Sequence, residues 1–168
     1  LRDKQAATAR LLRAGADIHA LNTVRKHLSR VKGGRLAAAT KARVVGLAVS
    51  DVVGDDVSVI GSGLTAGDPT SFADALRVIE RYGGTDAFSP SVVAALRDGA
   101  ADRHAESPTP GSPALSRAET RIIGSRRNAM AGARAEAERL GYRTDVIDEP
   151  VVGEARTAAA AYAATLCE

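Results

Sequence analysis

The run Arg43-Val44-Val45-Gly46-Leu47-Ala48-Val49 restricts the fold more than any other stretch of this chain. Every position after Arg43 is apolar or glycine, so no alternation separates a core face from a solvent face. Such a strand belongs in the middle of a parallel sheet, with other structure covering both of its sides. Parallel neighbours cannot be joined by a tight turn, and each needs a long crossover, usually a helix.

The rest of the chain reads as those crossovers. Helical periodicity marks residues 3–14, with Ala7, Leu11 and Leu12 on one face and Gly15 as the stop. Asp17 is placed to cap a second helix through Leu21 to about Leu28. Lys32-Gly33-Gly34 interrupts it, and a short helix from Arg35 to Thr40 follows. Residues 51–69 form a loop rich in Gly and Asp, of a length that points to function or disorder. Thr70 or Ser71 caps an amphipathic helix from Phe72 to Tyr82, and another helix runs from Pro90 to Arg97. Residues 99–118, rich in Pro, Ser and Gly, read as a surface connection and not as a domain boundary. A second strand spans Thr120 to Gly124, and a helix closed by Gly141 spans Asn128 to Leu140. Tyr142 to Ile147 reads as a third strand and Glu154 to Leu166 as a last helix. No internal repeat is visible. Strand and helix in this order predict an α/β fold, a parallel sheet with helices on both faces.

Composition narrows the function classes. Hydrophobic residues make up 45% of the chain but aromatics only 3%, so the core must be built from Ala, Val, Leu and Ile. The 23 basic residues only slightly outnumber the 20 acidic ones, and Arg is scattered along the whole chain. A nucleic-acid binder concentrates its cations on one face or tail, so no nucleic acid is expected. A basic cleft for a small anion suits the same charge. The single cysteine, Cys167, excludes an intrachain disulfide and suits a reducing cytosol. No apolar run reaches the roughly 18 residues of a membrane span, and no secretory signal is visible. The chain opens at Leu1 inside a helical pattern and stops at Glu168 without a cap signal, so it reads as an internal piece of something longer.

Three constellations could carry chemistry. The first is the segment from Asn22 to Gly34, where Arg25, Lys26, Ser29 and Lys32 precede the pair Gly33-Gly34 at a helix start. Free N–H groups there, with Lys beside them, would make an anion cradle; a solvated basic helix with a Gly cap explains the same spacing. It is not a Walker A motif, because no Ser or Thr follows a Gly-Lys pair. The second is Ser50-Asp51, at the carboxyl end of the strand 43–49, where open parallel sheets hold their ligands. A carboxylate there can bind Mg²⁺ or accept a proton; a turn Asp is the bland alternative. The third is Asp55-Asp56 with Gly61-Ser62-Gly63. It suits a hard cation and a phosphate, and equally a flexible polar loop. His19, His104, Met130 and the tyrosines read as structural or solvated, and Cys167 lacks a His or Asp partner.

Three stretches taken together, NTVRKHLSRVKGGRLA (22–37), SDVVGDDVSVIGSGLTAGDPTSFADALRVIERYG (50–83) and GSPALSRAETRIIGSRRNAMAGARAEAERLGY (111–142), resemble the glycerate 2-kinase family, whose members often carry the label hydroxypyruvate reductase. The resemblance runs over nearly the whole chain. It implies a Rossmann-like large α/β domain, of which residues 1–168 are a part, with a smaller C-terminal domain outside this chain. It implies phosphorylation of D-glycerate with ATP and Mg²⁺ in the cytoplasm, and an isolated chain that is catalytically silent. On the matched motifs, Lys32, Gly33, Gly34 and Ser62 are expected at phosphate. Arg25, Lys26 and Ser29 are expected near the substrate, and Asp51, with Asp55 and Asp56 behind it, at the metal. Asp51 and Lys32 are the expected catalytic pair. The chain departs from the family pattern at Val53 and Leu64, where proline is usual, and at Arg126, where Asn is usual. Fewer loop prolines should leave 51–69 freer. A nicotinamide-dependent reductase would need a GxGxxG turn, which is absent here; a noncatalytic anion-binding module is the other alternative. Oligomeric state is open, with a homo-oligomer allowed.

Overall fold

A computed structural model describes residues 1–165 of the chain. Two helices open it. α1 spans Arg2–Arg13, with Asp3 in its first turn and Arg10 and Arg13 in its last, the charge order that suits the helix dipole. α2 spans Ile18–His27, and Asp17 caps it by accepting the Ala20 N–H at 2.8 Å. A short helix α3, Arg35–Ala38, follows the Gly33-Gly34 turn. Strand β1 is Val44–Val49. The long loop after it contains only single turns at Val53–Asp55 and Ile60–Ser62.

α4, Phe72–Arg81, begins with a reciprocal cap in which Ser71 and Asp74 bond each other's backbone, satisfying two otherwise orphaned donors. α5 spans Pro90–Ala100, with proline at its first position, where a missing N–H costs nothing. Strand β2, Ala118–Gly124, lies parallel to β1 in a two-stranded sheet. α6, Arg126–Arg139, and α7, Ala155–Thr165, follow. No described helix is long and apolar enough to cross a membrane. Leu166, expected in the last helix, and Cys167 lie outside the described residues.

The chain divides into two compact units, Leu1–Ile123 and Gly124 onward. In the first, the core is made by helices. Ala7 and Leu11 of α1, Leu21 and Val24 of α2, Phe72, Ala75 and Ile79 of α4, and Val92, Val93 and Leu96 of α5 form one buried cluster. As expected, aliphatic side chains dominate it. β1 contributes nothing to that cluster. Its residues are alternately half-buried and exposed, with Leu47 65% and Val49 73% accessible. The apolar run is therefore a strand, but among the described residues it is not covered on both faces.

In the second unit, α6 buries no side chain. The expected strand over 142–147 is absent: those residues are irregular, and Tyr142 and Val146 are exposed. A segment becomes a strand only where another strand takes up its N–H and C=O groups, and no partner is described there. Ser125 and Asn128 hold the start of α6, where Asn128 Oδ1 accepts the Ser125 N–H at 3.0 Å and its hydroxyl at 2.9 Å. Arg126, at the position of family departure, donates to the Asp148 carbonyl at 2.6 Å.

A buried polar cluster fastens the loop to α2. The Lys26 ammonium donates to Asp68 Oδ1 at 3.2 Å, with the two side chains 5% and 0% accessible. The same oxygen accepts the Thr70 N–H at 3.0 Å and its hydroxyl at 2.6 Å. His27 Nδ1 sits 2.8 Å from the Thr23 carbonyl, which can only accept, so Nδ1 carries a proton. His27 Nε2 faces Glu106 Oε2 at 3.2 Å, and Glu106 Oε1 accepts the first N–H of α4 at 2.9 Å. The 99–118 connection runs mostly over the surface, as expected, but at Glu106 and the buried Ser107 it touches this cluster.

Two changes test this packing. A Cβ on Gly99 would overlap the Phe72 ring. Gly99→Ala should therefore destabilise the protein by about 1–3 kcal/mol through overpacking, although Ala is the better helix former by about 1 kcal/mol. A rise in the denaturation midpoint would refute this contact. Asp68→Asn should cost about 3–5 kcal/mol, because it strands the Lys26 charge in the interior. Lys26→Met added to it should recover part of that loss in the same denaturant titration.

Candidate functional site

The segment from Arg25 to Gly34 leaves the end of α2 and turns back beneath the 59–68 part of the loop. Gly33 donates its N–H to the Ser62 carbonyl at 3.0 Å and Gly34 to the Gly63 carbonyl at 2.7 Å. Both expected phosphate donors are thus engaged within the chain, and the expectation for Gly33 and Gly34 is corrected. Gly33 has a structural reason to be glycine. Its φ is +59°, and a Cβ there would lie 3.0 Å from Ser107 Oγ and 3.1 Å from Asp68 Oδ2, so a side chain would meet both strain and crowding.

Two further expectations change for the same reason, that the groups face inward. Lys26 is buried, with its ammonium engaged in the pair with Asp68. Ser62 is 1% accessible, and its hydroxyl donates to Asn22 Oδ1 at 2.8 Å. Asn22 in turn donates to the Val59 carbonyl at 3.2 Å. With Ala37 N–H donating to the Leu64 carbonyl, residues 59–64 are pinned at several points.

The acidic residues are not gathered. Asp51 is exposed just beyond β1, next to the buried Ser50, whose Oγ accepts the Val52 N–H at 3.3 Å. Asp55 occupies a left-handed conformation, φ +54°, in the first single turn. Asp56 accepts the Ser58 N–H at 2.8 Å. Burial works to raise the Asp56 carboxyl, but hydrogen bonds from Ser58 and the charges of Lys26 and His19 outweigh it and leave it below the usual carboxylate range. Among the described residues, no three His, Cys, Asp or Glu side chains come close enough to hold a metal ion.

What the structure does bring together is Arg25, Ser29 and Lys32. They line one cavity of about 500 Å³ between α1 and the end of α2. The Lys32 ammonium donates to the Gly61 carbonyl at 2.7 Å, and Arg25 donates to Asn22 Oδ1 at 3.3 Å. Burial, and behind it the Arg25 guanidinium, hold the Lys32 ammonium below its ordinary value. The sequence reading missed Asp68 and Glu106. Asp68 precedes Pro69 and Thr70, a turn signal, but nothing in the linear pattern pairs it with Lys26.

The chain is similar to known proteins along most of its length. It is 41% identical over 163 residues to a glycerate kinase of Bos taurus, covering 96% of this chain and 30% of the relative. It is 37% identical over 158 residues to a glycerate 2-kinase of Pyrococcus horikoshii, covering 94% and 35%. Its fold matches a crystal structure of a glycerate kinase from Thermotoga maritima with a TM-score of 0.67 and 39% identity, over 87% of this chain and 32% of that one. The chain thus spans about a third of the length of these proteins. Residues 1–97 match the family model described as a domain of unknown function, DUF4147. More than half of the sequence follows that pattern, and the chain belongs to the DUF4147 family, in company with the glycerate kinases.

Proposed function

We propose that the whole protein transfers the γ-phosphoryl group of ATP to the 2-hydroxyl of D-glycerate. The observation that carries this reading is the similarity to proteins named glycerate kinase and glycerate 2-kinase along nearly the entire chain. Mg²⁺ accompanies ATP as its counter-ion.

Phosphoryl transfer asks little covalent chemistry of a protein and much positioning and charge stabilisation. The glycerate hydroxyl oxygen forms a bond to the γ-phosphorus, the bond to the β-phosphate oxygen breaks, ADP leaves, and the hydroxyl proton must go to a base. Asp51 is our choice for that base. It stands exposed at the carboxyl end of β1, where α/β sheets place their ligands. Arg25 and Lys32 are assigned to the oxyanions of the reactants, with Ser29 beside them. Lys26, Gly33, Gly34 and Ser62 act one step back, holding the turn and the loop in register.

The whole protein with D-glycerate and Mg-ATP should form ADP and 2-phosphoglycerate, read by phosphorus NMR of the products. Oxidation of NADH by hydroxypyruvate without ADP release would sink the assignment and favour the reductase. Asp51→Asn should keep the fold and lower kcat about 10²-fold, a loss that added Mg²⁺ does not repair. Recovery at high Mg²⁺ would reassign Asp51 to the metal, and an unchanged kcat would make it a turn residue.

A further inference from the structure

The cavity between α1 and α2 has an unusual charge balance. Its wall carries three cations, Lys4 of α1, Arg25 of α2 and Lys32 of the following turn, and no carboxylate lines it. None of these cations has an Asp or Glu within ion-pair distance among the described residues; Arg25 donates to Asn22 Oδ1 and Lys32 to the Gly61 carbonyl, both neutral oxygens. Ser29 Oγ accepts the N–H groups of Val31 and Lys32, both at 3.3 Å, so its own O–H proton is still available as a donor. Leu12, Val24 and Leu28 supply an apolar floor.

The larger cleft nearby makes the contrast. Of about 910 Å³, it shares Lys4 and Ser29 with the smaller cavity and adds Arg30, Arg35 and His104, but also Asp3 and Glu106. The cations of that cleft have acids beside them, whereas Arg25 and Lys32, which line only the smaller cavity, do not. Like charges held together without a counter-ion cost free energy that a bound anion removes. The lowered proton affinity of Lys32, set by burial and by Arg25, is a second sign of the same imbalance. The volume, about 500 Å³, falls within the range of roughly 300–1,000 Å³ found for small-molecule sites.

We infer that the α1–α2 cavity is a binding site for a small oxyanion, a phosphate monoester or carboxylate with a short carbon body, held by Lys4, Arg25 and Lys32 with the Ser29 hydroxyl as donor. The inference deepens the kinase reading by adding Lys4 and placing the anion, and it rests on that reading only for which anion binds. Lys4 stands on the first helix, where the sequence pattern alone shows only a solvated side chain.

The test uses the whole protein and isothermal titration with inorganic phosphate, D-glycerate and 2-phosphoglycerate, comparing wild type, Lys4→Met and, as a control on the same helix but outside the cavity, Arg13→Met. At least one of the three anions should bind saturably, and Lys4→Met should weaken it about tenfold, the size expected for one charge-assisted hydrogen bond. Arg13→Met should leave it unchanged, and thermal melting should show both variants folded. Should Lys4→Met unfold, Lys4→Gln serves in its place. No binding of any of the three anions, or equal affinity in wild type and the Lys4 variant, overturns the site. If binding is lost in the Lys4 variant while wild type makes no ADP from glycerate, the site stands and the kinase reading falls.

Discussion

The arrangement of this chain depends on one buried ion pair, Lys26 with Asp68. Two charges removed from water are costly, and their attraction repays the cost only when further hydrogen bonds complete the geometry. Here Thr70 supplies two of them to the same Asp68 oxygen. The other oxygen lies 3.9 Å from His27 and has no hydrogen-bond partner. Such a pair is a poor source of net stability and a strict condition on structure. Any displacement of the loop from α2 would leave a bare charge inside. Glu106 extends the condition by bridging His27 to the start of α4. One polar cluster thus joins α2, the loop, α4 and the 99–118 connection.

This has a consequence for reading motifs. The segments 22–37 and 50–83 are full of groups that a ligand could use, yet most of those groups are turned toward one another. The N–H donors of Gly33 and Gly34 hold the Ser62 and Gly63 carbonyls. Ser62 and Asn22 satisfy each other. Such mutual satisfaction is what a buried polar segment requires. The groups left over, Arg25, Ser29, Lys32 and Asp51, are fewer, and they lie at the edges of the network. The architecture holds a basic turn rigidly from behind while its outward cations stay without acidic partners.

The sheet shows how a correct local reading can still misjudge surroundings. Val44–Val49 is a strand, and its register alternates as a strand must. Its apolar outer face is exposed, and the core of the first unit is instead the contact of α1, α2, α4 and α5. Periodicity reports the conformation of a segment, whereas burial depends on what lies against it. Residues 142–147 make the same point in reverse. Their place between two helices suggested a strand, and without a partner they stay irregular.

The sequence by itself determined the helices and their limits, because capping and periodicity are local. Asp17, Ser71 and Pro90 begin α2, α4 and α5 where those residue types begin helices. It also determined the family, through motifs long enough to be specific, and with it the expectation that Asp51 and the cations near Gly33 matter. Tertiary structure alone decided which members of those motifs face solvent. Lys26 and Lys32 are six positions apart in one basic stretch, yet one is buried against Asp68 and the other lines a cavity. The partners that separate them, Asp68 and Gly61, come from a loop whose local pattern does not say which lysine it will meet, and Lys4 comes from another helix. Charge can be read residue by residue. Whether a charge is neutralised inside or left for a ligand depends on contacts between residues distant in the chain, which only the fold creates.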